Sequence, residues 1–402
     1  MHVIADTKSL VSDGLIDQAA ARVIELRGRE AMVSLAINAI LGLGILCATF
    51  GLIFWLADAA AVTLCGLVLL GAGLTVLAKA GAAFRILGNA GALIGAGMLI
   101  AGAGIELTSQ YPDIAAWVMI PGGLVISAIA TFTFLRGGLT TRFVQGAIAL
   151  MGFALHLAGI AHLILEAGSS GVVWPLFHLY SAAALVVFGW LLDVRLVTAL
   201  AIAPFAQALD TGTSYFHAAY VFYSPESTLS ILQMSVAVVL GLWIAHRSSE
   251  RIARHSRIFA TMAFIVANLC ALVGSLWGDW VGQTVWGPGR YWSVRDQFDG
   301  IADWQAASNA FKETALFISA DTYAIVWGIV LAAIIARAAW RANRGLFNAA
   351  ITFGAIHGYT QMFESFFDAP GAYVLAGFSA VALAWIVWTI NRSWGNEGRL
   401  AA

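Results

Sequence analysis

The sequence predicts an all-α fold, a polytopic transmembrane helical bundle with both termini in the cytoplasm. The first reason is composition, since the 402 residues are 60% hydrophobic and 11% charged, whereas soluble domains carry about 25% charged residues. A soluble core of this composition would expose large apolar patches and aggregate. The second reason is repetition of apolar runs of about 20 residues, the length of a membrane-spanning helix. The net charge of −1 shows no footprint of nucleic-acid binding.

About twelve apolar segments are predicted to span the membrane. The seventh is broken by Pro204, which cannot donate a helical hydrogen bond. The predicted spans are residues 32–56, 59–79, 86–107, 113–135, 143–166, 172–192, 196–215, 228–246, 258–280, 314–336, 345–366 and 371–391. They delimit a transmembrane bundle over residues 32–392, preceded by an N-terminal segment, 1–31, and followed by a tail, 393–402.

Basic residues indicate the orientation of this bundle. Of the 21 Lys and Arg residues, 18 precede the first span or follow an even-numbered span. The other three, Arg290, Arg295 and Lys312, lie in one long loop on the opposite side. Because Lys and Arg accumulate in cytoplasmic loops, we expect a multi-pass protein of a bacterial inner membrane with both termini cytoplasmic.

The N-terminal segment, residues 1–31, is predicted to form a cytoplasmic helical hairpin ahead of the first span. Asp13-Gly14 is a turn signal, and Asp17 is placed to cap the helix that follows. Glycines then mark the third span, where Gly88, Gly95 and Gly102 recur every seven residues. Such a stripe predicts close approach of a neighbouring helix.

The loop at residues 281–313 is the one large predicted exterior feature and is rich in tryptophan. Phe298, Ile301, Trp304 and Phe311 can share one side of a helix, which predicts a segment lying at the outer membrane interface. The alternative is that the loop forms a lid over a site below it.

Two segments at the ends of the chain carry a family resemblance. Residues 10–23 form a short "Gly-Leu-Ile then helix" unit before the first span. The closing pair of spans carries Asn348, Phe353, Phe363, Glu364, Gly377 and Trp385. Both segments resemble the bacterial DUF2157 family of predicted membrane proteins, to which the DUF4401 proteins are similar. The resemblance implies an integral membrane protein and supplies no catalytic residues.

Ionisable residues within the predicted spans are the candidates for function. In the stretch 345–368, His357, Gln361 and Glu364 stand at i, i+4 and i+7 and share a helical face. Such groups at membrane depth usually face a protein interior or a cavity. With the predicted topology, they fall in the outer half of the bundle and predict an outward-opening polar cavity. The candidates for ligand or ion binding, or for a proton relay, are His156, His162, His178, Asp210, Asp321, His357, Gln361 and Glu364.

The sequence is compatible with two functions. The first is a transporter or a small-ligand- or ion-binding membrane protein that uses this cavity. The second is a non-catalytic structural or partner-binding protein, whose buried polar groups are packing contacts. Imidazole and carboxylate groups leave metal binding possible, but no metal or nucleophile motif occurs with its usual spacing. We therefore predict no cofactor and no catalytic residue, with the lipid bilayer as the one defined partner.

Overall fold

The computed structural model describes a helical chain that divides into two compact units, Met1–Ser170 and Gly171–Ala402. The described residues are 7–26, 58–79, 84–137, 142–169, 171–210, 214–216, 221–223, 226–289, 294, 297–341, 343–366 and 368–400. The first predicted span, residues 32–56, lies outside them.

The first unit contains a short helix, further helical residues 18–26 and four long helices. Their bounds are α1 Thr7–Ser12, α2 Ala59–Lys79, α3 Arg85–Gln110, α4 Pro112–Arg136 and α5 Arg142–Glu166. The Asp17 Oδ1 atom accepts a hydrogen bond from the Ala20 N–H at 2.6 Å, which confirms the predicted cap. Gly14, with φ +71°, makes the turn before it, and Thr7 Oγ1 donates to Glu25 Oε1 at 2.8 Å across that turn.

The second unit contains nine helices and two short antiparallel strand pairs within the part of the chain that is described. The helices are α6 Val173–Leu192, α7 Arg195–Leu200, α8 Ile202–Gln207, α9 Ser227–Arg247, α10 Glu250–Trp277, α11 Ile301–Thr314, α12 Ala320–Trp340, α13 Arg344–Ser365 and α14 Pro370–Leu400. The strands are β1 Ser214–Phe216, which pairs with β2 Val221–Tyr223, and β3 Asp279–Trp280, which pairs with β4 Phe317–Ile318.

The class of fold is confirmed: among the described residues, nine helices are long and apolar enough to cross a membrane. They are α2 to α6, α9, α10, α12 and the first part of α14, Pro370–Thr389. Helix α13 covers the eleventh predicted span but does not belong to this set, because Asn348, His357 and Gln361 lower its hydropathy. The total of twelve spans and the side of each terminus stay predictions.

The predicted glycine stripe on α3 is confirmed as a helix-packing surface. A Cβ atom at Gly95 would lie 2.2 Å from the backbone nitrogen of Leu70, and one at Gly102 would lie 2.5 Å from Thr63 Oγ1. The partner helix α2 contributes a glycine of its own, since a Cβ at Gly73 would lie 2.2 Å from Ala92 N. Backbones at this separation leave no room for a methyl group, so the two helices pack along glycine on both sides.

Helices α4 and α5 are joined by polar contacts as well as by glycine. Ser127 Oγ donates to the Ala149 carbonyl at 2.8 Å, and His156 Nδ1 donates to the Ile120 carbonyl at 2.9 Å. Gly123 allows this approach, because a Cβ there would lie 2.4 Å from the His156 backbone nitrogen. The two hydrogen bonds run in opposite directions between the helices and hold them in register.

The seventh predicted span, residues 196–215, is wrong as a single helix. The structure has two six-residue helices, α7 and α8, which meet at Ala201, and the chain then continues to the β1–β2 hairpin. Residues 195–207 would extend about 20 Å as a helix, which is shorter than the hydrocarbon core of about 30 Å. Pro204 removes one backbone donor here, and Gln233 Nε2 of α9 donates to the Phe205 carbonyl at 2.7 Å.

The chain nevertheless passes from one end of α10 to the other between Asp193 and Glu226. Asp193 contacts Arg254 and His255 in the first turns of α10, whereas Glu226 contacts Gly282, just beyond the last turn. We call the segment between them the interrupted crossing. Its α8 packs in an apolar core with α9 and α10, formed by Ile202, Ala206, Met234, Ala237, Ala263 and Ala267.

We expect Gly73→Ala to lower the thermal stability of the purified protein, because the methyl group would overlap the α3 backbone. Overpacking of this kind costs about 1–3 kcal/mol. Gly71→Ala, in the same helix, is the matched control, since a Cβ at Gly71 meets nothing within 4 Å. Thermal unfolding in detergent compares the two variants, and an equal loss of stability would contradict the proposed contact.

Candidate functional site

The two ends of the second unit differ in chemistry. The basic end, defined by Asp193, Arg247, Arg251 and Arg254, lies where α6 and α9 end and α10 begins. The capped end, defined by Glu226, Asp279 and the β3–β4 pair, lies where α9 begins and α10 ends. Helix α12 starts directly after β4, so its final Arg337 and the following Arg341 lie away from the capped end. Charge is therefore distributed asymmetrically along the helices of this unit.

At the basic end, three side chains form a hydrogen-bonded chain. Thr198 Oγ1 lies 2.6 Å from His255 Nδ1, and His255 Nε2 lies 3.1 Å from Asp193 Oδ1. Arg254 also donates to Asp193, at 3.1 Å. The hydrogen bond from His255, with support from the Arg254 charge, lowers the pKa of Asp193 from its ordinary value. The ionised carboxylate accepts from Nε2–H, and in the neutral imidazole His255 Nδ1 then accepts from the Thr198 hydroxyl.

This chain has the connectivity of a nucleophile, base and acid, but its packing does not suit nucleophilic attack. Thr198 is fully buried, and a Cβ at Gly189 would lie 2.1 Å from its Oγ1 atom. The hydroxyl thus packs directly against the backbone of α6 and is not accessible to solvent. We interpret the chain as a link that joins α6, α7 and α10.

At the capped end, two buried carboxylates hold the start of the loop at residues 281–313. Glu226 accepts from the backbone N–H groups of Gly282, at 2.6 Å, and Thr284, at 2.8 Å. The Asp279 Oδ2 atom accepts from Thr228 Oγ1 at 2.5 Å and from the Tyr323 hydroxyl at 3.0 Å. These bonds join α9, α10 and α12 to the loop. The role of Glu226 does not follow from any pattern in the sequence.

Residues of the loop also contact one another. Its two ends are held together by the β3–β4 pair, in which Asp279 faces Ile318. The predicted helix is present as α11, and its Trp304 Nε1 donates to the Gly289 carbonyl at 3.3 Å. Phe311 packs near Gly287, where a Cβ would lie 3.1 Å from its ring. Two of the aromatic residues predicted to lie at the membrane interface therefore contact the loop's own backbone.

A column of polar side chains crosses the interface of α10, α12 and α13. Asn268 Oδ1 accepts from Trp327 Nε1 at 3.1 Å, and His357 Nε2 donates to the Ala324 carbonyl at 2.9 Å. Nearer the capped end, Gln361 Nε2 donates to Ser275 Oγ at 2.9 Å. The predicted face of α13 thus points into the protein at His357 and Gln361.

His357 has an unused nitrogen in this polar column. The side chain is 7% exposed, and its Nδ1 atom has no hydrogen-bond partner among the described residues. Because Nε2 carries the proton donated to Ala324, the Nδ1 lone pair is available as an acceptor. A narrow cleft beside it, lined also by Asn268 and Trp327, has space for about one water molecule.

The other predicted site residues lie in different places. His156 and His162 belong to the first unit, where His162 Nε2 lies 3.2 Å from the Pro112 carbonyl. His178 on α6 and Asp210 at the end of the interrupted crossing are close enough to interact electrostatically. Asp321 and Glu364 lie near helix ends and are exposed on the surface of the chain.

An apolar cavity of about 630 Å³ borders the interrupted crossing, within the range of roughly 300–1,000 Å³ found for ligand pockets. Its walls come from α6, α9 and α10, with Thr198 and Phe205 contributed by the crossing. Among the described residues, no group of three or more His, Cys, Asp or Glu side chains could hold a metal ion.

Comparison of the chain with protein-family models, curated proteins and solved structures finds no match. The resemblance of its two ends to the DUF2157 family accordingly stays a prediction. The function is therefore inferred from the geometry of the second unit.

We expect Glu226→Gln to loosen the loop at the capped end. The two N–H groups bond different carboxylate oxygens, and in the amide one of these positions becomes an NH2 donor, so one bond is lost. A charge-assisted bond is worth about 1.5–3 kcal/mol. Hydrogen exchange at Gly282 and Thr284 should accelerate. Glu313→Gln is the control, because Glu313 is exposed on α11. Unchanged exchange in Glu226→Gln would show that its carboxylate does not hold the loop.

Proposed function

We propose that this integral membrane protein is a transporter or small-ligand-binding membrane protein whose working region lies in the second unit. The observation that carries the proposal is the interrupted crossing, whose helical stretch Arg195–Gln207 is too short to span a bilayer and lies beside a cavity of about 630 Å³. Transporters commonly place substrate and ion sites where a membrane helix is discontinuous. Non-helical backbone at membrane depth is tolerated where it is buried in protein or lines a cavity.

The polar column supplies a group suited to ion coupling. His357 presents a buried nitrogen that can accept a proton or a donor group of a ligand, and histidine titrates near neutral pH when unperturbed. Ionisable groups at membrane depth are costly and are typical of ion pathways. We therefore propose a proton as the coupling ion. Gln361, one turn further along α13, extends the same path toward the capped end.

The charge distribution of the second unit supports the proposed orientation. Arg247, Arg251 and Arg254 are at one end, opposite Glu226 and Asp279. Positive charge favours the cytoplasmic side, so we propose that the basic end is cytoplasmic and the capped end is exterior, in a bacterial inner membrane. Membership of the DUF2157 family is part of this proposal and implies no specific biochemical role.

The second candidate function, a structural or partner-binding protein, is favoured by a different observation. His156, His162, His357 and Gln361 all have a hydrogen-bond partner inside the protein. Polar side chains bonded across helices can serve as packing contacts alone. On this account, the unused nitrogen of His357 would bind a structural water molecule and no proton would pass.

Two matched substitutions separate the candidates. His156→Gln and His357→Gln each remove a buried imidazole that bonds a helix carbonyl at 2.9 Å, so each should lower thermal stability, by about 1–2 kcal/mol. We expect His357→Gln alone to reduce proton flux at least tenfold in proteoliposomes under an imposed membrane potential. A pH-sensitive dye inside the vesicles reports that flux.

If wild-type proteoliposomes show no proton flux above protein-free vesicles, the proposed coupling is wrong. If His156→Gln reduces flux as much as His357→Gln, the effect reflects lost packing, and the structural function is the better account.

A further inference from the structure

The cavity beside the interrupted crossing has an apolar wall and one polar end. Most of its lining is aliphatic or aromatic, including Val187, Leu240 and Phe259. The polar lining residues that α10 contributes, His255 and Ser256, lie near the first turns of this helix. The polar end of the cavity therefore coincides with the basic end of the unit, and the apolar part extends toward the middle of the helices.

Arginines surround this polar end. The Arg251 guanidinium lies 5.3 Å from the centre of the Trp190 ring, which itself lines the cavity. The Arg247 guanidinium lies 5.0 Å from the Trp243 ring, on the turn of α9 next to the lining residue Ile244. Both guanidinium groups are thus placed by aromatic side chains at the basic end, next to residues that line the cavity.

The positive charge at this end is only partly balanced. Arg254 pairs with Asp193, and Arg257 pairs with Glu250 at 3.8 Å. Within the described residues, no ion pair is formed by Arg247 or Arg251, although Arg251 donates to the carbonyls of Trp190 and Leu191. Arg251 also acts electrostatically on Asp193, which Arg254 already pairs with, so cationic groups outnumber carboxylates at this end of the described structure.

We propose that this cavity binds an anionic phospholipid from the surrounding bilayer, with an acyl chain along the apolar wall and the phosphate near Arg247 and Arg251. Guanidinium groups match phosphate oxygens in charge and geometry, and basic pockets between membrane helices bind acidic lipid headgroups. The excess positive charge selects an anionic lipid over a zwitterionic one. This is the cavity on which the proposed transport function also depends, but lipid binding needs no proton flux, so the binding measurement and the flux measurement can fail independently.

Native mass spectrometry of the full-length protein in detergent tests the proposal. The probes are phosphatidylglycerol and phosphatidylcholine with identical acyl chains, added to delipidated protein. We expect wild type to bind phosphatidylglycerol more tightly, and Arg247→Gln to weaken that binding about fivefold. This factor follows from about 1 kcal/mol per cationic side chain near a membrane surface. Binding of phosphatidylcholine should be unchanged in Arg247→Gln.

A second pair of variants tests the cavity itself. Leu240 and Leu242 lie on the same helix and are each 52% exposed, but only Leu240 is a lining residue of this cavity. Leu240→Trp should fill the space and reduce binding of both lipids severalfold, whereas Leu242→Trp should have no effect. Thermal unfolding of each variant checks that it is folded.

Three results would overturn the proposal. One is equal affinity of wild type for the two lipids, and another is equal loss of binding in Leu240→Trp and Leu242→Trp. The third is absence of bound lipid in wild type together with a selective loss of stability in Leu240→Trp, which would show that protein fills the cavity.

Discussion

Hydrogen bonds from polar side chains to the backbone carbonyls of neighbouring helices are the interaction on which this structure depends. Ser127 and His156 make them in the first unit, and Gln233 and His357 make them in the second. A helix carbonyl has a second lone pair that its own helix does not use. In hydrocarbon, where water cannot compensate a polar group, such a bond satisfies the side chain and defines the register of two helices.

The same principle explains how the second unit tolerates an interrupted crossing. The helical stretch Arg195–Gln207 ends well short of a full span, and a helix end leaves its last carbonyls without intrahelical partners. Here Gln233 binds the Phe205 carbonyl, and the Thr198–His255–Asp193 chain holds the first short helix. Glycine at position 189 lets that helix pack against α6. The result is a pair of short helices packed on one face against three regular helices, with a cavity along one side.

The sequence predicts the class of fold and most of the helices, because a membrane span needs little more than an apolar run of about 20 residues. From Pro204 it predicts an irregular seventh span, but Pro204 itself lies in the first turn of α8, where proline is tolerated, and the helix ends later, at Gln207. His357 is predicted as a deep polar group and is buried, whereas Glu364 on the same face is exposed at the helix end. Glu226 escapes prediction because its partners are backbone N–H groups, which every residue except proline has.

The topology of the second unit is tested most directly by finding the side of the membrane on which a single cysteine is accessible. The three variants are Val194→Cys, Ser248→Cys and Val285→Cys. The background lacks the native residues Cys47, Cys65 and Cys270. A membrane-impermeant thiol reagent is applied to intact cells and to inverted vesicles. We expect Cys at 285 to react from outside, and Cys at 194 and at 248 to react only in inverted vesicles. Labelling of positions 194 and 285 from the same side would contradict this expectation, because the chain would then not cross the membrane between Asp193 and Glu226.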